Sequence, residues 1–138
     1  MLKSPLVHPE ILSALAYCGH GSKVLIADGN YPIREKSGAA VKVYLAVTMG
    51  TPTVTEILHA VLGVVEIEKA EVMVPETGEE PPIFAEFRKE LGDVEFTGMD
   101  RQTFYDACIA QGAVVLAIST GEPRVFSNIL LTIGCVSI

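Results

Sequence analysis

The segment Ala113–Ser119, AVVLAIS, constrains the fold more than any other part of the chain. It is too short for a buried helix and it is apolar at almost every position. A strand that is apolar at consecutive positions must be covered on both faces, so it belongs inside a sheet flanked by two further layers. Two similar runs, Lys23–Asp28 (KVLIAD) and Asn128–Ile133 (NILLTI), repeat the signal. Alternation at Val41, Val43, Leu45 and Val47 predicts another strand, and Val64–Ile67, Glu71–Val74 and Val94–Thr97 predict three short ones.

Helical patterns fall between these runs. Pro9 and Glu10 open the first, where proline suits the first helical position and a carboxylate meets the positive end of the dipole. Its apolar stripe is Ile11, Leu12, Leu15 and Ala16, and Gly19 is its natural stop. Thr53–Gly63 begins with a capping-box signature, Thr53 to Glu56, and carries Val54, Ile57, Leu58, Val61 and Leu62 on one face. Ile83–Leu91 and Arg101–Gln111 are the remaining two helices. Strands alternating with helices, with no linker and no repeat, give an α/β fold: one three-layer α/β/α domain spanning residues 1–138 around a central sheet.

Charge narrows the function. Ten basic against 17 acidic residues leave a net charge of −7, with the cations scattered, so phosphate backbones and anionic membranes are repelled. No apolar run approaches the ~18 residues of a membrane span, and the N-terminus MLKSPLVHPE has no leader pattern. Cys18, Cys108 and Cys135 are too few and too dispersed for a disulfide framework, and a reduced cytoplasm is the expected compartment. An apolar fraction of 49% in so small a chain points to surface hidden in an oligomer.

Polar residues at the ends of buried strands are the candidates for chemistry. His20 stands between Gly19 and Gly21, unscreened by neighbouring side chains, and imidazole exchanges protons near neutrality. Its bland alternative is a solvated loop histidine. Asp28 ends the KVLIAD run and either caps the Gly29-Asn30 turn or accepts hydrogen bonds from His20 or a ligand hydroxyl. Arg101 sits at a helix start, where the dipole disfavours a cation, so it either pairs with an acid such as Asp100 or grips a hydroxylated ligand. The Asn128 amide either bridges two sugar hydroxyls or caps the preceding loop. His8 and His59 read as a helix-start and a solvated residue, and no histidine pair has metal-ligand spacing. Gly19-His20-Gly21-Ser22-Lys23 matches neither GxxxxGK[ST] nor GxGxxG, which sets a nucleotide site aside, and Ser119-Thr120-Gly121 is no GxSxG elbow.

Taken in order, three stretches resemble the ribose pyranase and fucose mutarotase family of small sugar-isomerising proteins. They are HPEILSALAYCGHGSKVLIADGNYP at 8–32, RQTFYDA at 101–107 and STGEPRVFSNILLTIG at 119–134. The resemblance implies interconversion of anomers or ring forms of a free monosaccharide, an isomerase reaction needing neither metal nor organic cofactor. It implies His20 as the proton donor and Asp28, Arg101, Phe126 and Asn128 as sugar contacts. It also implies ring-shaped homo-oligomers, pentamers or decamers, with the site near a subunit boundary. The ribose branch usually carries a histidine where this chain has Arg101, so the L-fucose branch matches better. Where the family has Y-x-N this chain has Phe126-Ser127-Asn128, which removes a phenol hydroxyl; Tyr105 is a candidate substitute. A D-ribose pyranase and a non-catalytic sugar-binding protein on the same scaffold are the competing expectations.

Overall fold

The computed structural model describes residues 1–138. Its elements run α1 (Pro9–Ala16), β1 (Lys23–Ala27), β2 (Val41–Tyr44), α2 (Val54–Leu62), β3 (Ile67–Met73), α3 (Ile83–Leu91), β4 (Glu95–Met99), α4 (Arg101–Ile109), β5 (Val114–Ser119) and β6 (Ile129–Ile133). The six strands form one mixed sheet in the order β2-β5-β1-β6-β3-β4. β1 and β2 lie parallel to β5, and β4 lies parallel to β3. The last strand, β6, inserts antiparallel between β1 and β3 and joins the two parallel halves.

Alternation along the strands builds the three layers. Val24 and Ile26 on β1, Leu116 and Ile118 on β5, and Ile129 and Leu131 on β6 face α1, α2 and α3. Leu25, Ala27, Ala117 and Leu130 face the other way, against Phe104 and Cys108 of α4 and Tyr31 and Ile33 of the segment after β1. Every residue of β6 is buried, as its near-continuous apolar sequence requires. No helix is long and apolar enough to cross a membrane.

The helix starts follow local chemistry. In α2 the Thr53 Oγ1 accepts from Glu56 N at 3.2 Å while Glu56 Oε2 accepts from Thr53 N at 2.8 Å, a complete capping box. Such a cap contributes about 1 kcal/mol. His8 caps α1, its Nδ1 accepting from Ile11 N at 3.4 Å. Asp100 caps α4 by accepting from Thr103 N at 2.9 Å and Thr103 Oγ1 at 2.7 Å.

The strand expected at 94–97 runs Glu95–Met99 and the helix expected at 101–111 ends at Ile109; three further differences have a local cause. The strand predicted to reach Val47 ends at Tyr44, because Val47 turns away to bond Thr51 and is largely exposed. The first helix stops at Ala16 with Tyr17 as its cap, short of Gly19. The two short strands predicted at 64–67 and 71–74 are one strand, β3, interrupted by a bulge. Ile67 opposes Ile133 while Lys69 opposes Thr132, so Glu68 is the extra residue. The bulge lets Ile67 and Ala70, three apart, enter the same core, which is why the period-two pattern breaks there.

Candidate functional site

β1 and β3 end, β6 begins and α4 begins at one edge of the sheet. A cavity of about 320 Å³ opens there on the α4 side. Asp28, Arg101, Phe126 and Asn128 all border it, with Tyr31 and Tyr105 completing its aromatic wall. Four residues chosen from three separate stretches of sequence therefore share one concave surface.

Asp28 is the best-anchored of them, only 2% exposed. Its Oδ1 accepts from Asn30 N at 2.9 Å and its Oδ2 from Ser127 N at 3.1 Å. Its own N–H donates to Asn128 Oδ1 at 2.8 Å. The carboxylate thus caps the Gly29-Asn30 turn and also ties that turn to the start of β6. Burial pushes its pKa above the ordinary value, against the pull of the backbone donors at Ser127, Asn30 and Tyr31 and of the Asn128 side chain. Asn128 commits its oxygen to the Asp28 N–H and its side chain also borders the cavity.

Arg101 pairs with no acid; no carboxylate lies within 4 Å of it. Its guanidinium lies instead over the Phe126 ring, Cζ 5.5 Å from the centroid. That contact explains a cation at the dipole's unfavourable end: the side chain is held by an aromatic face at the border of the cavity. Phe126 is the one non-glycine residue with a left-handed backbone, φ 59°. A residue in that region costs about 1–3 kcal/mol and persists only where its surroundings hold it.

The loop that carries it is tied down by Glu122 and Arg124. Glu122, 1% exposed, accepts from Arg124 Nε at 2.8 Å, Arg124 Nη2 at 3.0 Å and Arg124 N at 3.2 Å. Arg124 also bonds Glu86 on α3. Burial pushes the Glu122 carboxyl up, but the Arg124 bonds outweigh it and hold it below its usual value. The loop between β5 and β6 is pinned on its inner side as well. A Cβ on Gly121 would stand 2.5 Å from Thr48 O and 2.7 Å from Thr51 O, so only glycine fits that crossing. Nothing in the linear spacing TGEPR distinguishes such a clamp from an ordinary polar loop.

Tyr31 is a cavity residue to which the sequence assigns no role. It reads as a turn residue before Pro32, yet it is buried, stacks edge-on against Phe104 and Tyr105, and donates to Lys36 O at 2.7 Å. Burial raises its pKa, so it stays a neutral wall of the cavity. Tyr105 is half-buried with Lys36 Nζ 5.2 Å above its ring.

His20 does not join these residues within one chain. It precedes β1 and Asp28 follows it, so the length of a five-residue strand, about 16 Å, separates them. The expectation that Asp28 accepts from His20 of the same chain is thereby corrected: a strand cannot bring its own two ends together. The side chain of His20 is 59% exposed, and its Nε2 lies 2.9 Å from Glu68 Oε2. Gly19 and Gly21 leave open space around it, and Gly21 takes φ +88°. His59, expected to be merely solvated, is exposed but pairs through Nδ1 with Glu90 Oε2 at 2.8 Å. No cluster of three histidine, cysteine, aspartate or glutamate side chains has the geometry of a metal site.

The fold and the whole sequence have known counterparts. The model of the RbsD / FucU transport protein family matches residues 1–136. The D-ribose pyranase of Clostridium novyi (strain NT) is 31% identical over 137 residues, covering 99% of both chains. That of Bacillus pumilus (strain SAFR-032) is 32% identical over 140 residues, again 99% of both. Among solved structures, Bacillus subtilis RbsD complexed with D-ribose superposes with a TM-score of 0.85 at 19% identity, covering 99% of this chain and 100% of that one. The fucose mutarotase of Streptococcus pneumoniae in complex with L-fucose gives a TM-score of 0.81 at 23% identity, with the same coverage. With its sequence matched from end to end and its six-stranded sheet shared, this chain belongs to the RbsD/FucU family, whose members include sugar pyranases and mutarotases.

Proposed function

We propose that this protein interconverts the anomers of a free monosaccharide, L-fucose, by acid–base opening and reclosure of the hemiacetal ring. The observation that carries the reading is the shared cavity: Asp28, Arg101, Phe126 and Asn128 meet at one opening of about 320 Å³, within the range of small-molecule pockets. It offers an aromatic wall for an apolar sugar face, a carboxylate and an amide for hydroxyls, and a guanidinium at the mouth.

Ring opening breaks the C1–O bond of the ring. A proton goes to the ring oxygen, another leaves the anomeric hydroxyl, and a C1 carbonyl forms. Rotation about the bond to C1 and reclosure on the other carbonyl face give the other anomer. Redox state and composition are unchanged. Acid–base assistance of such a step contributes about 10²–10⁴-fold. Asp28, Arg101 and Asn128 hold the hydroxyls that do not react, and His20 carries the proton.

Because His20 and Asp28 occupy opposite ends of β1, we assign the histidine serving each cavity to a neighbouring copy of the chain. Exposed apolar side chains need cover: Tyr17 three residues before His20, Val136 three residues after Ile133, and Val125 next to Phe126 in sequence. A ring of identical subunits, packed head to tail, joins the two ends at every boundary.

The names of the curated relatives favour a second reading, D-ribose pyranase, in which the same chemistry moves ribose between pyranose and furanose forms. Saturation-transfer NMR on free aldoses tests both readings. Exchange of anomer signals is the expected result, falling by roughly 10²-fold or more in His20→Ala. A protein that binds sugars without exchanging them is a sugar-binding module, and a folded His20→Ala protein with wild-type exchange removes the role given to the histidine.

A further inference from the structure

We propose that Glu68 is the positioning residue for His20, holding the imidazole through Nε2 so that Nδ1 is the nitrogen presented to the sugar. The inference rests on His20 as the proton carrier and adds which of its two nitrogens does the work.

Two independent features of the backbone place the pair. Glu68 is the extra residue of the β3 bulge, between the Ile67–Ile133 and Lys69–Thr132 pairs. A bulge residue leaves the ladder and its side chain takes a direction that regular pleating denies it. On the other side, Gly21 N donates to Ile133 O at 2.9 Å and Ile133 N to Ser22 O at 2.8 Å. The glycine-flanked loop is thereby stitched to the same residue, Ile133, that the bulge flanks. Gly134 closes the arrangement: a Cβ there would approach Glu68 Cβ to 3.2 Å and Glu68 N to 3.4 Å. The loop, the bulge and the end of β6 are thus fitted around one contact, Nε2 to Oε2 at 2.9 Å.

The chemistry of the contact fixes the tautomer. A carboxylate only accepts, so Nε2 must carry the hydrogen in both the neutral and the cationic imidazole. Nδ1 then gains and loses the mobile proton, and it has no partner in the chain. The ring cannot swing to present Nε2 without giving up the Glu68 bond. A glutamine at this position keeps an oxygen acceptor for Nε2–H, whereas alanine keeps nothing.

Heteronuclear imidazole NMR reads the tautomer, and saturation-transfer kinetics read the consequence. The neutral His20 of the wild type and of Glu68→Gln carries its proton on Nε2, and Glu68→Ala shows a mixture. In exchange, Glu68→Ala loses about 3- to 30-fold in kcat with KM within about twofold, a part of the acid–base contribution. Glu68→Gln recovers to within about threefold of wild type on the same scale. A wild-type His20 protonated on Nδ1 overturns the proposal, as does Glu68→Ala exchanging at the wild-type kcat or Glu68→Gln no better than alanine. A His20→Ala protein that exchanges sugar at the wild-type rate overturns the proton role beneath it, and this proposal with it, whatever the tautomer spectra show.

Discussion

Replacing Arg101 by alanine should separate the two candidate sugars. The guanidinium is exposed, free of any carboxylate and supported by the Phe126 ring at 5.5 Å. Its loss therefore leaves no buried charge behind, and the protein should fold: the exposed cation–π contact contributes only about 0.5–1 kcal/mol. What is lost is a planar fork of donors at the cavity mouth, able to grip two hydroxyls at once. In a dry site each such bond would contribute ~1.5–3 kcal/mol. At an open mouth water replaces much of that, which leaves about 1–2 kcal/mol in all. The corresponding loss in exchange at low sugar is roughly 5- to 30-fold for L-fucose. D-Ribose carries as many hydroxyls in its pyranose form, since L-fucose is a 6-deoxy sugar, but in another configuration that the fork does not match, and it should lose less than about threefold on the same reasoning. Saturation-transfer NMR on each sugar, with urea midpoints as the folding control, measures both ratios. D-Ribose exchange equal to or faster than L-fucose exchange, and unmoved by Arg101→Ala, would refute the role of this arginine and transfer the protein to the pyranase reading.

Glu122→Gln, which neutralises the buried partner of Arg124, should lower stability by about 1–2 kcal/mol, visible as a lower urea midpoint. The loss is held below that of a fully buried pair because Arg124 is 42% exposed and retains Glu86. Since the folded carboxyl lies below its ordinary value, that stability is present above the unfolded pKa and disappears as pH falls through the folded one, so the variant and wild type should converge in acid. Asp28 behaves in the opposite sense. Its folded value is raised above 3.8, so its contribution is fully present below the unfolded value and fades as pH rises through the raised one. Urea midpoints of Asp28→Asn relative to wild type should therefore improve from about pH 3 to pH 7, starting near the ordinary carboxylate value; a difference independent of pH would contradict the raised carboxyl.

The legible parts of this chain were those governed by local rules. A capping box such as Thr53–Glu56 needs only four residues, and a strand such as Val114–Ser119, covered on both faces except at Val115, announces itself by having no polar face. The four cavity residues were reachable because each stands at the end of an apolar run, where a layered α/β fold exposes polar groups. Interactions set by tertiary crossings were not legible. The clamp from Glu122 through Arg124 to Glu86 joins positions 36 apart in the chain, and the burial of Tyr31 depends on where α4 lands. The bulge at Glu68 was visible only as a lapse in periodicity, which a break between two strands explained equally well. The expectation that His20 works beside Asp28 failed for a simpler reason: the seven residues between them include a whole strand, and a strand is rigid and extended.

That rigidity yields the sharpest test of how the site is assembled. If both groups served one cavity from within one chain, every chain damaged at either position would be dead in any mixture. If the histidine comes from a neighbour, the damage at one end of β1 and the damage at the other fall on different cavities. Co-refolding equal amounts of His20→Ala and Asp28→Asn chains into mixed rings makes the two cases distinct. A cavity is intact when its own chain has Asp28 and the adjoining chain has His20, and with random mixing about one in four satisfies both conditions. Exchange in the mixed assembly should then recover to roughly a quarter of the wild-type rate, from a His20→Ala parent lower by about 10²-fold and an Asp28→Asn parent lower by about 10-fold or more through weakened hydroxyl binding. The same variants refolded separately and then combined cold, without subunit exchange, should show no recovery. Mixed rings as inactive as the parents would place His20 outside the neighbouring cavity. Its distance from Asp28 within the chain would then leave it no proton to deliver.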